Sequence, residues 1–414
     1  MNRQVVIALA LAAVTGLVPR SACADTSEPN PLPVIDSPKG FDLSKLVTKA
    51  LPDGRVIDVL NSDDGAAPRT FVYLSAKNRW VAVDSVDGIE RLVGPLIILA
   101  NDQIWALGEA AHDHRLVAKT LDLRSGHWRE SAAPPPEVAD PWRRVVRLTD
   151  ERLLVLGSKS GSVGWVYDAV TDRWSKTSEI PGTHDGVMYA TSLEGGKAFV
   201  FPNSSKAATQ GWVSLVYESG RDIWHVSEPL HEAAGMTPHG FLKLADGSML
   251  LVSLASRAAQ LFSVLFRPDS LTWLGSSRPG LSPGTYALQG LFLLKDGNVI
   301  LLSNAIPGPT QGSLFDSATL RWSAYGTLPM DIPNAQVQGL LPNGDVWAIG
   351  YGVKGQWSEL VHSATTGQWT AARPLPAAAV LVSPRTGSSR DVLLYVGHRD
   401  GRAVVVDESM LFRP

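Results

Sequence analysis

The sequence of 414 residues predicts an all-β fold, a β-propeller assembled from four-stranded antiparallel blades. Three observations lead to this prediction: a tryptophan that recurs at a nearly constant interval, hairpin-turn signals between apolar runs, and a pattern without sustained helical periodicity. The tryptophans are separated by 48, 46, 50, 49, 49 and 47 residues. They are Trp80, Trp128, Trp174, Trp224, Trp273, Trp322 and Trp369.

A second residue position repeats with each tryptophan. Seven residues earlier stand Tyr73, Leu121, Tyr167, Tyr217, Phe266, Phe315 and His362, of which five are tyrosine or phenylalanine. An acidic residue follows that position directly in four units: Asp122, Asp168, Glu218 and Asp316. These acids recur too regularly for a catalytic role, so we interpret them as turn and strand-end residues. The periodic tryptophans are predicted to pack between blades.

Turn signals divide each unit into strands. Asp-Gly or Asn-Gly occurs between apolar runs at 53–54, 246–247, 296–297 and 343–344. Such dipeptides indicate hairpins because both residues tolerate a positive φ. In the fifth unit we expect strands at 240–244, 249–254, 261–266 and 272–274. A single four-stranded unit cannot bury both of its faces, but several arranged radially can, which favours a propeller.

The units resemble kelch motifs, most of all the divergent form of bacterial secreted proteins. The resemblance is carried by segments such as LPDGRVIDVL at 51–60 and VYDAVTDRW at 166–174, and it covers residues 40–410. The repeat length of about 50 residues is similar to that of kelch blades. The sequence departs from the kelch pattern where paired glycines usually end the second strand, since single glycines such as Gly108, Gly157 and Gly350 stand there.

The number of blades depends on how the two termini meet. After the last periodic tryptophan, strand-like segments follow at 380–383, 392–396 and 403–407, and Arg413 occupies the next tryptophan position. The segment PLPVID at 31–36 lies where a missing fourth strand would be supplied. We therefore expect eight blades, closed by a strand within the N-terminal segment 25–40, with the propeller over 41–414. The alternative is seven blades, with the last units merged.

Residues 1–24 read as a secretory signal peptide. Arg3 precedes an apolar stretch at 5–18, and Ala22-Cys23-Ala24 matches a cleavage site before Asp25. We expect export to the periplasm or the exterior; lipidation of Cys23 is an alternative. Cys23 is the sole cysteine, so the mature protein would hold no disulfide. The net charge of −3 argues against nucleic acid as a partner, and no further segment reaches membrane-spanning length.

Candidate site residues fall in loops that a four-stranded meander brings to one face. We expect that face, around the channel, to carry binding. The candidate catalytic residues are His184, Asp185, His231, Glu232 and His239. The candidate binding residues are Arg143, Arg144, His112, His114 and Tyr351, with Trp142, Trp165, Trp212 and Trp357, which lie outside the tryptophan period, as exposed stacking candidates.

The histidine-containing candidates each have a functional and a structural interpretation. His112 and His114 flank an aspartate and could ligate a divalent metal, but a third ligand would have to come from another blade. We therefore predict a solvated loop, with neither metal nor cofactor. His184 beside Asp185 could act as a general base, although a turn-forming pair is the simpler interpretation.

Several enzyme classes on similar propellers are excluded by the sequence. Copper radical oxidases resembling galactose oxidase need a cysteine that the mature chain lacks, and sialidase motifs precede none of the periodic tryptophans. Quinoprotein dehydrogenases have a longer Asp-to-Trp spacing. We expect an exported, non-catalytic scaffold that binds a carbohydrate or an envelope or secreted protein. The alternative is a cofactor-free periplasmic sugar mutarotase or epimerase, similar to kelch-type sialic acid mutarotases, for which an acid and a base suffice.

Overall fold

The computed structural model describes most of residues 46–407. The described ranges are 46–51, 55–61, 66–74, 79–100, 102–110, 113–138, 144–157, 162–182, 186–203, 207–255, 260–277, 285–306, 310–329, 334–340, 345–351, 357–363, 365–374, 394–399 and 402–407. The predicted signal peptide at 1–24 and the predicted closing strand at 31–36 lie outside these residues.

The first half of the described chain forms four antiparallel sheets in sequence order. Sheet 1 contains β1 (Leu46–Ala50), β2 (Val56–Leu60), β3 (Arg69–Leu74) and β4 (Arg79–Ser85). Sheet 2 contains β5 (Arg91–Leu92), β6 (Ile97–Ile98), β7 (Gln103–Glu109), β8 (Leu116–Asp122) and β9 (His127–Glu130). Sheet 3 contains β10 (Arg144–Arg147), β11 (Arg152–Leu156), β12 (Val163–Asp168) and β13 (Arg173–Glu179). Sheet 4 contains β14 (Gly186–Ser192), β15 (Lys197–Asn203), β16 (Leu215–Glu218) and β17 (Ile223–Val226).

The second half continues the same meander. Sheet 5 contains β18 (Thr237–Lys243), β19 (Met249–Ala255), β20 (Gln260–Arg267) and β21 (Thr272–Ser277). Sheet 6 contains β22 (Thr285–Leu293), β23 (Val299–Ile306), β24 (Thr310–Asp316) and β25 (Arg321–Thr327). Sheet 7 contains β26 (Asn334–Leu340), β27 (Val346–Tyr351), β28 (Trp357–His362) and β29 (Trp369–Pro374). A two-stranded sheet of β30 (Leu394–Arg399) and β31 (Arg402–Asp407) follows.

Helical structure is confined to short connections among the described residues. The helix α1 spans Ala207–Gln210, and three 3₁₀ turns span Pro136–Val138, Glu194–Gly196 and His231–Ala233. No helix in the described ranges has the length and apolar character required to cross a bilayer. The all-β prediction is therefore confirmed, and the four strands expected in the fifth unit are those of sheet 5.

The core lies between neighbouring sheets. The second strand of a sheet carries consecutive buried apolar residues, as at 153–156 in β11, because both of its faces are covered. The fourth strands are largely exposed. First strands of successive sheets contact one another, β10 with β14, β18 with β22 and β22 with β26, as the innermost strands of a radial array do. We call the set β10, β14, β18, β22 and β26 the inner wall.

The periodic tryptophans join each sheet to the one before it, as predicted. Trp174 Nε1 donates to the carbonyl oxygen of Ala132 at 2.9 Å, and Trp224 Nε1 donates to that of Ser178 at 3.1 Å. Trp273 makes the same kind of bond, whereas Trp322 donates to the hydroxyl of Ser263. Each indole thus buries apolar surface and also satisfies its single donor at the sheet interface.

The repeated acid acts as a turn residue, as predicted. Asp168 Oδ1 accepts main-chain N–H groups of Val170 and Thr171, and Asp316 Oδ1 accepts those of Ala318 and Thr319. Such short-range bonds are the usual way in which aspartate closes a turn. They hold the pKa of Asp316 below its ordinary value, since the main-chain donors stabilise the charged form.

Candidate functional site: the inner wall

The inner wall differs from the rest of each sheet in its accessibility. All seven residues of β14 are partly exposed, as are the last four of β18, whereas four of the five residues of β11 are buried. Each inner strand has a sheet neighbour on one side only, because it is the first strand in its sheet. Half of its main-chain N–H and C=O groups therefore face away from the ladder, as on any sheet edge.

Two cationic side chains bridge sheet 4 to its neighbours at this wall. Arg144, the first residue of β10, donates from Nη2 to the carbonyl oxygen of Met188 at 3.2 Å. Lys243, the last residue of β18, donates from Nζ to the carbonyl oxygen of Ser192 at 3.0 Å. Since β14 lies between β10 and β18 in the array, it is fixed from opposite sides, at its third residue, Met188, and at its last, Ser192. These bonds hold three inner strands in a defined relation to one another.

An aromatic stack supports the wall between sheets 4 and 5. The rings of Tyr189 and Phe241 lie 4.6 Å apart with an interplanar angle of 3°, and Phe201 packs against Phe241 at 5.2 Å. Burial raises the pKa of the Tyr189 hydroxyl, because the phenolate is poorly solvated there. Tyr189 therefore remains neutral near neutral pH and stiffens the wall rather than carrying a charge.

The structure places only some of the predicted site residues. Arg144 lies on the inner wall, and His239 lies on β18 with an exposed side chain. His231 and Glu232 are exposed in the 3₁₀ turn that leads to β18, and His114 is exposed after β7. Tyr351 and Trp357 end β27 and begin β28, and their backbones pair with each other. The residues His112, Trp142, Arg143, His184 and Asp185 lie outside the described residues.

The tryptophans proposed for exposed stacking do not all reach a surface. Trp212 is fully buried, with edge contacts to Phe201 and Phe262, and its Nε1 donates to the carbonyl oxygen of Met236 at 2.9 Å. Its assignment as a ligand-stacking residue is therefore wrong: it packs between sheets 4 and 5, where apolar side chains surround it. Trp165 is half-buried on β12.

The histidine–carboxylate pairs of the described chain lie at the surface. His127 Nδ1 lies 2.6 Å from Asp84 Oδ2, linking β9 to β4, and the imidazole is 72% exposed. His225 lies 3.3 Å from Glu218 in sheet 4. Within the described ranges, no group of three or more histidine, cysteine or acidic residues is arranged to hold a metal ion. These pairs read as surface contacts between strands.

Sequence reasoning missed Lys243, Tyr189 and Phe241. A signal was available for Lys243, because it directly precedes Leu244, the buried leucine that follows the first strand. Tyr189 and Phe241 belong to half-buried strands whose sequences show no clear alternation of apolar and polar residues. The sequence therefore does not indicate which neighbouring sheet these rings pack against. Only the tertiary structure brings these two rings together.

Comparisons with known proteins identify the class of fold. No family model matches the chain, and no curated protein matches it in sequence. Solved structures do match. A post-proline cleaving enzyme from Rickettsia typhi has a TM-score of 0.52 at 9% identity, covering 87% of this chain and 58% of its own. Dipeptidyl peptidase 4 of Porphyromonas gingivalis has a TM-score of 0.54 at 9% identity, covering 89% and 60%.

A third match comes from a study of two prolyl endopeptidases, with a TM-score of 0.51 at 12% identity, covering 86% of this chain and 55% of the other. The chain therefore spans less than two thirds of the length of each of these peptidases. At such identities the likeness shows the fold alone: the chain has an all-β, propeller-like fold of the kind found in these peptidases. The kelch resemblance gains no support, since no family model matches.

The functional prediction made from the sequence is contradicted. It expected an exported, non-catalytic scaffold for a carbohydrate or an envelope protein, with a sugar mutarotase as the alternative. The solved structures that share its fold are instead post-proline cleaving and dipeptidyl peptidases. The tryptophan spacing is compatible with the kelch resemblance, but a propeller-like fold of this kind is also found in these peptidases.

Proposed function

We propose that this chain is the propeller module of a peptidase-type protein and that its inner wall receives extended peptide substrates. The observation that carries the proposal is the partly exposed inner wall, formed by strands that are sheet edges. Exposed strand edges recognise extended peptides, because the main chain of the peptide can continue the hydrogen-bonding pattern of the sheet. The solved structures with a similar fold are peptidases, and for this reason we propose peptides as the class of substrate.

The preorganisation of the wall supports the same proposal. Arg144 and Lys243 donate hydrogen bonds to carbonyl oxygens of β14, so the inner strands are held in place before a ligand arrives. A preorganised wall loses less conformational entropy on binding than a mobile one.

A binding assay tests the proposal. Fluorescence polarisation is measured with a fluorescein-labelled, terminally capped hexapeptide containing one proline, using the full chain. We expect saturable binding that an unlabelled peptide displaces and that maltohexaose leaves intact. The absence of saturable binding, or equal displacement by the oligosaccharide, would contradict the proposal. Mass spectrometry of the same samples shows whether the peptide is also hydrolysed, which would extend the proposal to catalysis by this chain.

We also propose that the ring has eight blades, is closed by residues 31–36 and belongs to an exported protein. The two-stranded sheet of β30 and β31 after sheet 7 supports an additional blade. Deletion of residues 31–36 is expected to lower the melting temperature by about 5 °C, because an unpaired sheet edge is left in the last blade. Calorimetry checks this, and an unchanged melting temperature would contradict the closure.

A further inference from the structure

Accessibility distinguishes β14 from the inner strands on either side of it. The structure describes every side chain of β10, β14 and β18, and of these three strands only β14 contains no buried residue. In β10 the side chain of Val146 is buried, and in β18 that of Pro238 is buried. Among these three strands, β14 is therefore the one that solvent reaches along its whole length.

The ladder with β15 determines which main-chain groups of β14 lie on its free edge, the side that carries no paired strand. Leu193, which directly follows β14, donates its N–H to the carbonyl oxygen of Lys197 at 2.9 Å. Residues of an antiparallel strand point their N–H and C=O groups alternately toward the partner strand and away from it. The register continues without a shift from Ser192 back to Tyr189, so the main-chain groups of Ala190 and Ser192 lie on the free edge.

Side chains of both neighbouring strands reach carbonyl oxygens on either side of Ala190. Lys243 Nζ donates to the carbonyl oxygen of Ser192 at 3.0 Å, and Arg144 Nη2 donates to that of Met188 at 3.2 Å. These bonds show that the main chain of β14 accepts hydrogen bonds from outside its own sheet. Among the described residues, no hydrogen bond to a group beyond sheet 4 engages the N–H or C=O of Ala190.

Ala190 has the smallest side chain at its position in the wall. The position lies three residues before the leucine that donates across each first hairpin, and in sheets 3, 4, 5 and 6 it is occupied by Val145, Ala190, Phe241 and Leu291. Directly opposite residues of paired strands bring their Cβ atoms to within about 5 Å of each other. A methyl group therefore leaves room for a side chain on a strand that pairs at Ala190.

We propose that β14 is the strand to which the peptide pairs, and that Ala190 exchanges two main-chain hydrogen bonds with one residue of the peptide. This inference rests on the proposed function, and it adds the strand, the residue and the kind of bond. Two bonds exchanged between directly opposite residues are the pattern of antiparallel strands, so the peptide runs antiparallel to β14. The peptide is thus recognised through its extended main chain and not through the charge of its side chains.

The first test removes the free-edge N–H of Ala190. Ala190→Pro in the full chain deletes this donor but no bond of the β14–β15 ladder, and proline is compatible with a strand edge. We expect it to weaken binding of the capped, fluorescein-labelled hexapeptide about tenfold in fluorescence polarisation, because the opposite carbonyl of the peptide loses its donor. The matched control is Ala50→Pro in β1, where the N–H also points away from the ladder. The control should bind like the wild type.

Amide hydrogen exchange keeps the test decisive if Ala190→Pro fails to fold. The full chain is labelled with heavy-nitrogen alanine, and the NMR signal of Ala190 is identified by its absence from the spectrum of Ala190→Ser. We expect a saturating concentration of the peptide to slow exchange of the Ala190 N–H about tenfold, because pairing protects this donor. Ala198, which is fully buried on β15, is the internal control, and its exchange should not change.

The outcomes separate this inference from the proposed function. If the wild type binds the peptide but folded Ala190→Pro binds it equally well, or Ala190 gains no protection, the inference is overturned and the proposed function stands. Equal weakening by Ala50→Pro would also overturn the inference, since the loss would not depend on β14. If the wild type binds no peptide at all, the proposed function itself fails, and the inference with it.

Discussion

Sheets 3 and 4 are each joined to the preceding sheet by an aspartate that accepts hydrogen bonds from a tyrosine and from a main-chain N–H. We call this arrangement the polar device. Sheets 5 and 6 have apolar residues at both side-chain positions instead. In sheet 4 the hydroxyl of Tyr217 donates to Asp222 Oδ1 at 2.8 Å, and the same carboxylate accepts the main-chain N–H of Ser178 in sheet 3. Sheet 3 repeats this with Tyr167, Asp172 and the N–H of Ala132. In sheets 5 and 6, phenylalanine replaces the tyrosine and leucine replaces the aspartate.

The backbone is the same in both pairs of sheets. Asp172, Asp222, Leu271 and Leu320 all have φ between 52° and 58°, in the left-handed region. Aspartate tolerates that region better than most residues, whereas leucine is strained there by roughly 1–2 kcal/mol. Leu271 and Leu320 pack against the buried clusters of sheets 5 and 6, which offsets the strain. The fold thus fixes the backbone geometry of this turn. The turn residue is aspartate where the third strand carries tyrosine, and leucine where it carries phenylalanine.

The largest expected effect comes from breaking the polar device in sheet 4. Asp222→Leu leaves the buried hydroxyl of Tyr217 and the N–H of Ser178 without their acceptor, so we expect a loss of about 3 kcal/mol in the free energy of unfolding. Urea denaturation measures it. Adding Tyr217→Phe should recover about 1 kcal/mol, because sheet 4 then resembles sheets 5 and 6.

The control for this cycle is Asp269→Ala. The Asp269 carboxylate is 91% exposed and its ion pair with Lys197 is at the surface, so its loss should change stability little. If the double variant of Tyr217 and Asp222 is less stable than Asp222→Leu alone, the two residues do not form the unit described above.

The reverse exchange in sheet 6 should have a somewhat smaller effect. Leu320→Asp removes an apolar contact with its cluster and provides a carboxylate with no hydroxyl partner, because position 315 is phenylalanine. We expect a loss of about 2 kcal/mol in urea denaturation. Phe315→Tyr in the same chain should return part of it. Further destabilisation on adding the tyrosine would show that the polar device cannot be transferred between sheets.

The tryptophan of sheet 6 differs from those of sheets 3, 4 and 5 in the acceptor of its hydrogen bond. Trp174 and Trp224 donate to main-chain carbonyls, whereas Trp322 Nε1 donates to Ser263 Oγ at 2.8 Å. Ser263→Ala should therefore cost about 1 kcal/mol in thermal or urea unfolding, since the indole loses its acceptor. Ser263→Thr keeps a hydroxyl and serves as the control. Equal stability of Ser263→Ala and the wild type would contradict a structural role for this bond.

The smallest expected effect concerns sheet 7, where the ring on the third strand is His362. The imidazole is 2% exposed, lies 3.9 Å from the ring of Tyr325 and meets Trp369 edge-on at 5.1 Å. Burial lowers the pKa of His362 below its ordinary value, and the charge of Asp345 opposes that shift only in part. The neutral imidazole is therefore the form that the folded chain prefers.

This shift gives a pH dependence with a definite sign. Below about pH 6.5 the unfolded chain binds a proton at this histidine that the folded chain resists, so stability is present above that pH and falls as the pH is lowered. Urea denaturation between pH 7.5 and 5.5 should show the fall, and His362→Phe should reduce its slope. His114→Gln, at a 72% exposed histidine, is the control. An unchanged slope in His362→Phe would contradict the assignment.

The sequence was sufficient for features that repeat, and insufficient for features that depend on neighbouring sheets. The tryptophan period, the turn dipeptides and the acid at Asp168 predicted the sheets and their connections, because each reports a local backbone requirement. The burial of Trp212 was not predicted, since its position outside the period gave no information about the phenylalanines around it. The inner wall was missed for the same reason: Tyr189 and Phe241 are more than 50 residues apart in sequence and meet only across two sheets.

Photo-crosslinking most directly tests whether the inner wall receives a peptide. A capped, proline-containing hexapeptide carrying benzoylphenylalanine is irradiated with the full chain, and the adducts are located by mass spectrometry of proteolytic fragments. We expect adducts on fragments that contain β14, β18 and β22, and their loss when unlabelled peptide is in excess. Adducts confined to the outer strands β13 and β17, or unaffected by the competitor, would contradict a peptide-binding inner wall.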